Sequence, residues 1–298
     1  MQLSADESYW QYKPGFNGQL LGPTNVSFGP LGSRLHHDGV STDASDGKVI
    51  VVGDSVTLGQ TVDRDKTYSA VLEKALREAG KSVRVFNFGV AGHTLEMEVS
   101  HLRDLLSVLN PDVIVLAFIA DDLNPQRAMN SVDRFGYLTK TIFGPSNPVL
   151  DSARAILRES HLVLLSKAAF LNVRQQFTSH KNPGQQRDNP QEASLIHWEA
   201  DWLERFNKTM SEFNQLTTGK RRLVACLDLR ESSLTREFAV IMRENFPDIP
   251  YVDMPSFVPS SLPDSEYQGQ RDSHPNERAH SLYATTLIPN VSDLLELE

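Results

Sequence analysis

Residues 49–59 read Val-Ile-Val-Val-Gly-Asp-Ser-Val-Thr-Leu-Gly: a short apolar run, then Gly-Asp-Ser, then a helix start. A continuous apolar run of this length marks a buried parallel strand, and such a strand needs cover on both faces of its sheet. The carboxyl end of a strand is where open α/β sheets build their sites. Ser55 stands at that end, on a sharp strand-to-helix turn with helix N-terminal amides nearby. Two readings of Ser55 fit this segment alone: an exposed nucleophile, or a serine N-cap.

The pattern recurs along the chain. Apolar runs at 48–53, 83–88, 112–119 and 222–229 read as strands, with a shorter one at 251–254. Helical spacing predicts helices between them. One covers about 66–80 (Tyr68, Val71, Leu72, Leu76), and another covers 95–109 (Leu95, Val99, Leu102, Leu106). Two more cover 232–246 and 275–296, the last started by Pro275. Strands alternating with helices imply a three-layer α/β sandwich, a central parallel sheet with helices on both faces.

Residues 1–46 read as an extended lead-in over the core, with Trp10, Tyr12, Pro14, Phe16, Phe28 and Pro30 as its apolar and turn residues. His36 and His37 read as solvated loop residues. Residues 47–298 then form one domain with a helical insertion at about 124–220. Within the insertion, 149–177 read as one or two amphipathic helices: a cap or acyl-chain groove, or, as apolar stripes more often are, extra packing. Residues 180–194 read as a loop. A helix over 196–215 sets Trp198, Trp202 and Phe206 four apart, a sugar-stacking platform or a packing stripe, the latter preferred.

A serine hydroxyl needs a base, and the base needs an orienting group. Arg271-Asp272-Ser273-His274-Pro275-Asn276 supplies both, with Asp272 two residues before His274. Asp-x-His alone is a weak signal that a polar loop also explains. Together with Gly53-Asp54-Ser55 it becomes specific. Here the chain resembles the SGNH (GDSL) hydrolase superfamily, whose fold is SGNH/flavodoxin-like. Four separated blocks carry the resemblance.

Gly53-Asp54-Ser55 matches the first block, with Ser55 as nucleophile. Asn87-Phe88-Gly89-Val90-Ala91-Gly92-His93-Thr94 matches the second, and the resemblance implies that Gly92 gives a backbone N–H to an oxyanion hole shared with Ser55. Asp272 and His274 match the fourth, in a spacing one shorter than the commoner Asp-x-x-His. The third block departs from its Gly-x-Asn-Asp pattern. Asp121 stands where the oxyanion Asn should be, and Asp122 matches the trailing Asp. An ionised carboxylate repels an oxyanion. Three readings stay open: an Asp121 kept neutral by burial, an Asp121 turned away, or Asn124 in its place.

The resemblance implies a serine esterase acting through an acyl-enzyme on a short acyl ester, with an O-acetyl carbohydrate as first guess, and without cofactor or metal. An O-acyltransferase shares the same triad. A third reading is a weakened SGNH-fold carbohydrate-binding protein, which Asp121 keeps open. Composition agrees with a globular enzyme, at 40% hydrophobic and 22% charged residues over 298 positions. A net charge of −9 argues against nucleic acid as partner. The single cysteine, Cys226, excludes an internal disulfide and a Cys-rich metal site, and reads as a buried strand residue. No apolar run is long enough to span a bilayer. Met1–Ser8 lacks a basic start and an apolar core, so the expectation is a cytoplasmic chain or a processed exported form.

Overall fold

A computed structural model describes residues 1–5, 8–19, 24–36, 47–124, 201–259, 261, 263–269 and 274–296, and the backbone of 130–132 and 138–140. The chain divides into two compact units, Met1–Lys140 with Trp198–Glu298, and Thr141–His197, the second outside the described residues. The helices read over 149–177, the loop 180–194, Trp198, His37 and Asp272 therefore lie outside them too.

Two antiparallel pairs open the chain: β1 (Gln2–Leu3) with β2 (Trp10–Gln11), and β3 (Asn17–Gln19) with β4 (Asn25–Ser27). The alternating part follows as β5 (Gly47–Gly53), α1 (Ser55–Leu58), α2 (Tyr68–Glu78), β6 (Val83–Gly89), α3 (Leu95–Val108) and β7 (Val113–Phe118). A small hairpin, β8 (Asn130–Val132) and β9 (Leu138–Lys140), comes next. The chain resumes with α4 (Trp202–Leu216), β10 (Arg221–Cys226), α5 (Ser233–Asn245), β11 (Tyr251–Asp253) and α6 (Glu277–Glu296).

The five-stranded sheet has the order β11-β10-β7-β5-β6, and every pair in it is parallel. The chain steps outward from β5 to β6, then returns across β5 to β7, β10 and β11. Strand order therefore reverses between β5 and β7. Ligands in doubly wound sheets bind in the crevice outside the carboxyl ends at such a reversal. Ser55 follows β5 at that point.

Period-two alternation splits the strand residues between two cores. Val49, Val51, Val113, Val115, Leu223 and Ala225 pack with Leu72 and Leu76 of α2 and Ala284, Leu287 and Val291 of α6. Ile50, Val52, Ile114, Leu116, Val224 and Cys226 pack with α3, α4 and α5 on the other face. Both faces of β5 and β7 are covered, which is why those strands read as unbroken apolar runs. Cys226 is a fully buried strand residue, as its sequence context implies. A third cluster joins Trp10, Tyr12, Val26 and Phe28 to Leu58 and Val90, just past the ends of β5 and β6.

Three local expectations need correction. Helix α6 begins at Glu277, not at Pro275. The Asn276 Oδ1 accepts the backbone N–H of Arg278 and Ala279, so Asn276 caps the helix, while Pro275 sits in an extended bridge with Gln268. Strand β10 stops at Cys226 because its last ladder bond is Leu227 N–H to Phe118 O; the chain then turns off the sheet. His36 is half-buried, with Nε2 2.9 Å from the Val85 carbonyl, not a solvated loop residue. Among the described residues, no helix is long and apolar enough to cross a membrane.

Candidate active site

The turn after β5 is built for close approach. A Cβ on Gly53 would lie 2.2 Å from the Thr57 hydroxyl oxygen and 2.3 Å from the Ala117 carbonyl oxygen. Only glycine lets the chain fold back there at once into α1. Helix α1 is a single turn. Its N-cap is Asp54, not Ser55: Asp54 Oδ1 accepts the Val56 N–H at 2.8 Å. Capping therefore does not account for Ser55, and its hydroxyl is left for other partners. It has two. Asp54 Oδ2 accepts the Ser55 O–H at 3.1 Å, and His274 Nε2 lies 3.1 Å from Ser55 Oγ.

His274 comes to this place from a half-buried segment across the chain. The Gly269 N–H donates to the His274 carbonyl at 2.8 Å, and the Thr61 hydroxyl donates to the Pro275 carbonyl at 3.3 Å. The second bond ties the loop after α1 to the segment carrying His274. Asp272, the expected orienting group, lies outside the described residues.

Gly92 sits in the turn after β6 with φ +80°, a left-handed conformation that favours glycine. That turn is fixed from two sides. The Val90 N–H donates to the Gly53 carbonyl at 2.9 Å, joining it to the nucleophile turn. From the N-terminal segment, Trp10 Nε1–H donates to the Ala91 carbonyl at 3.2 Å. His93 Nε2 lies 2.6 Å from the Trp10 carbonyl, so that nitrogen carries the proton. This bond and full burial account for His93 as a structural residue.

The third block forms a 3-10 turn, Ala120–Leu123, after β7. Asp122 is buried and its Oδ2 accepts the Ile119 N–H at 2.8 Å, so it shapes the turn. Asp121 is exposed, so of the three readings the one that keeps it neutral by burial does not hold. The Asn124 side-chain amide donates to Asp121 Oδ1 at 3.3 Å. The structure brings Ser55 and His274 together, and sets Gly92 and Asp121 on the turns after β6 and β7, the two strands that flank β5.

Asp228 is a participant at this carboxyl end of the sheet that the sequence reading did not single out. Its Oδ2 accepts the Ala120 N–H at 2.8 Å and the Cys226 thiol at 3.3 Å. Burial pushes its carboxyl up to about 6, and the charges of Asp54 and Asp121 act in the same direction. The available signal was an acidic residue just past an apolar strand, which reads equally as an ordinary turn. His280 is placed away from base chemistry: its Nδ1 accepts the Tyr68 N–H at 3.1 Å. Burial, with the Arg34 charge adding to it, lowers its pKa to about 3. Among the described residues, no group of three His, Cys, Asp or Glu side chains could hold a metal ion.

No family model matches the chain. A stretch of 75 residues is 32% identical to the arylesterase of Vibrio mimicus, covering 25% of this chain and 38% of that relative's length. Among solved structures, a member of the lipolytic G-D-S-L family from Veillonella parvula DSM 2008 is 13% identical, covering 82% of this chain and 98% of that one, at a TM-score of 0.43. A family 3 carbohydrate esterase of Clostridium thermocellum is 14% identical, covering 84% of this chain and 98% of that one, at a TM-score of 0.48. The motif blocks and the five-stranded parallel sheet flanked by helices are consistent with the SGNH (GDSL) hydrolase superfamily.

Proposed function

We propose that the chain is an SGNH-type serine ester hydrolase acting on a short acyl ester, with an O-acetyl carbohydrate as the narrower form of the reading. The observation that carries it is the 3.1 Å approach of Ser55 Oγ and His274 Nε2, two side chains 219 positions apart. A hydroxyl becomes a useful nucleophile when a base takes its proton as it attacks. In this reading the Ser55 O–H turns from Asp54 Oδ2 to His274 Nε2, Ser55 Oγ bonds to the ester carbonyl carbon and its proton passes to His274 Nε2. Asp272 holds the opposite ring nitrogen and fixes the tautomer.

The backbone N–H groups of Ser55 and Gly92 receive the oxyanion, and Asp121 or Asn124 stands at the third position. Collapse breaks the ester C–O bond, and His274 returns the proton to the leaving alcohol. Water then attacks the acyl-enzyme by the same route, releasing the acid and restoring Ser55. A hydroxyl acceptor in place of water would give the O-acyltransferase. The weakened, carbohydrate-binding reading rests on one observation, the exposed carboxyl of Asp121 in the third block.

The test is Ser55→Ala, assayed for p-nitrophenyl acetate hydrolysis and fluorophosphonate labelling beside a thermal melt. The variant should keep its fold, lose labelling at this site and lose several orders of magnitude in kcat. Wild-type turnover in the variant would end this reading. A wild-type chain that neither labels nor hydrolyses, while binding carbohydrate, would favour the weakened form.

A further inference from the structure

Helix α1 has four residues, and a single turn is not stable by itself. The position of Ser55 therefore depends on what takes the carbonyl groups at the end of that turn. The Gly59 N–H serves Ser55 O and Val56 O, the Gln60 N–H also serves Ser55 O, and the Val62 N–H serves Gly59 O, all from within. The side-chain partners come from elsewhere in the chain. Asn87 Nδ2 donates to Thr57 O at 2.7 Å. Arg34 Nη1 donates to Leu58 O and to Gly59 O, each at 2.5 Å, and Arg34 Nη2 donates to Val62 O at 2.6 Å. Arg34 and Asn87 are themselves joined, since the Arg34 N–H donates to Asn87 O at 2.7 Å.

We propose that Arg34 is a positioning residue for the nucleophile, so that the N-terminal segment contributes to turnover as well as to packing. The inference rests on Ser55 being the nucleophile. Arg34 is 1% exposed, and it reaches three carbonyls of one loop with the planar fork that lysine lacks. Burial lowers its pKa only to about 10, with Asp63 and Tyr12 acting against the shift, so it stays cationic at neutral pH. A cation at a helix C-terminus also matches the helix dipole. The clamp reaches the base as well. The loop it grips, Gly59–Val62, contains Thr61, whose hydroxyl bonds the Pro275 carbonyl next to His274. One guanidinium thus steadies the turn that carries Ser55 and the loop that touches the His274 segment.

The experiment uses the whole chain with Arg34→Lys and Arg34→Ala. It reads kcat and KM on p-nitrophenyl acetate, the rate of fluorophosphonate labelling, and circular dichroism at the assay temperature. Displacement of a reacting group by about 1 Å costs roughly 10²-fold in rate. The expected result is a loss of that order in kcat and in labelling rate, with KM unchanged and the protein folded. Millimolar guanidinium should restore part of the rate to Arg34→Ala and none to Arg34→Lys, whose ammonium fills the space.

If Arg34→Ala does not fold, Arg34→Lys decides, read at a temperature where it is folded. Wild-type kcat and labelling in folded Arg34→Lys overturns the proposal. So does a loss of rate that only tracks the unfolded fraction. Ser55→Ala run alongside separates the two claims. Full activity there overturns the nucleophile and not the clamp alone.

Discussion

A carboxylate and an amide at one position do opposite things to a developing oxyanion: one repels it, the other donates to it. Asp121 is exposed on the turn after β7, with the Asn124 amide bonded to its carboxyl. If that turn faces the reacting carbonyl, Asp121→Asn supplies a donor and removes a charge. The predicted outcome is a rise in kcat near neutral pH, bounded by the roughly 10²–10³-fold that one oxyanion donor supplies. Asn124→Ala should then change little. Steady-state kinetics on both variants check this; an unchanged Asp121→Asn beside a damaged Asn124→Ala would move the donor role to Asn124. Single residues were legible where a motif fixed them, as with the Ser55–His274 pair. Arg34 was legible as the end of a Gly32-Ser33-Arg34 turn that the family resemblance matches, but its role was not, because its three carbonyl partners follow from how loops meet and leave no spacing to read. Asp54 took the capping role that the sequence left open to Ser55, since a carboxylate one residue earlier reaches the Val56 N–H.

Elements were legible for a different reason. Strands buried on both faces read as apolar runs, and amphipathic helices read by their stripes, so β5, β6, β7, α2, α3 and α5 fall close to their expected limits. Ends were less legible, because they are set by partners: Leu227 bonding Phe118 ends β10, and the Asn276 cap starts α6. Helix α4 decides between a sugar platform and a packing stripe at Trp202 and Phe206, two of the three aromatic residues set four apart in the sequence. Phe206 is fully buried and stacks on Phe238, with ring centroids 4.8 Å apart, and Trp202 meets Phe238 edge-on at 5.6 Å. Packing is what they do. Phe206→Ala should therefore cost about 3–5 kcal/mol in urea unfolding. A loss below about 1 kcal/mol would mean that the core closes around the gap and that α4 contributes little to stability.

At the scale of the whole molecule, buried titratable groups set how stability follows pH. His280 is fully buried with its pKa lowered to about 3, and burial holds His101 well below the usual histidine value, with His93 adding to it. The unfolded chain binds protons at both near pH 6.5, where the folded chain does not, so their contribution is present above that pH and is lost as pH falls below it. Asp228 works the other way. Its carboxyl is raised to about 6, so the folded chain holds a proton that the unfolded chain releases above about pH 4, and its contribution is lost as pH rises through 6. As pH falls below 6.5 each histidine withdraws stability, while Asp228 returns a smaller part of it below about 6. The two fully buried histidines outweigh the carboxyls, Asp228 with the less buried Asp253, so stability falls between pH 7 and 5.5. Acid destabilisation should thus begin near pH 6.5, well above the carboxylate range. His280→Asn keeps an acceptor for the Tyr68 N–H and cannot be protonated, so its stability should fall by less than half as much over the same interval, because Asp228 still offsets the one histidine that remains. Urea midpoints of both proteins at pH 7 and 5.5 check it. Parallel declines would show that His280 takes up its proton without leaving its buried place.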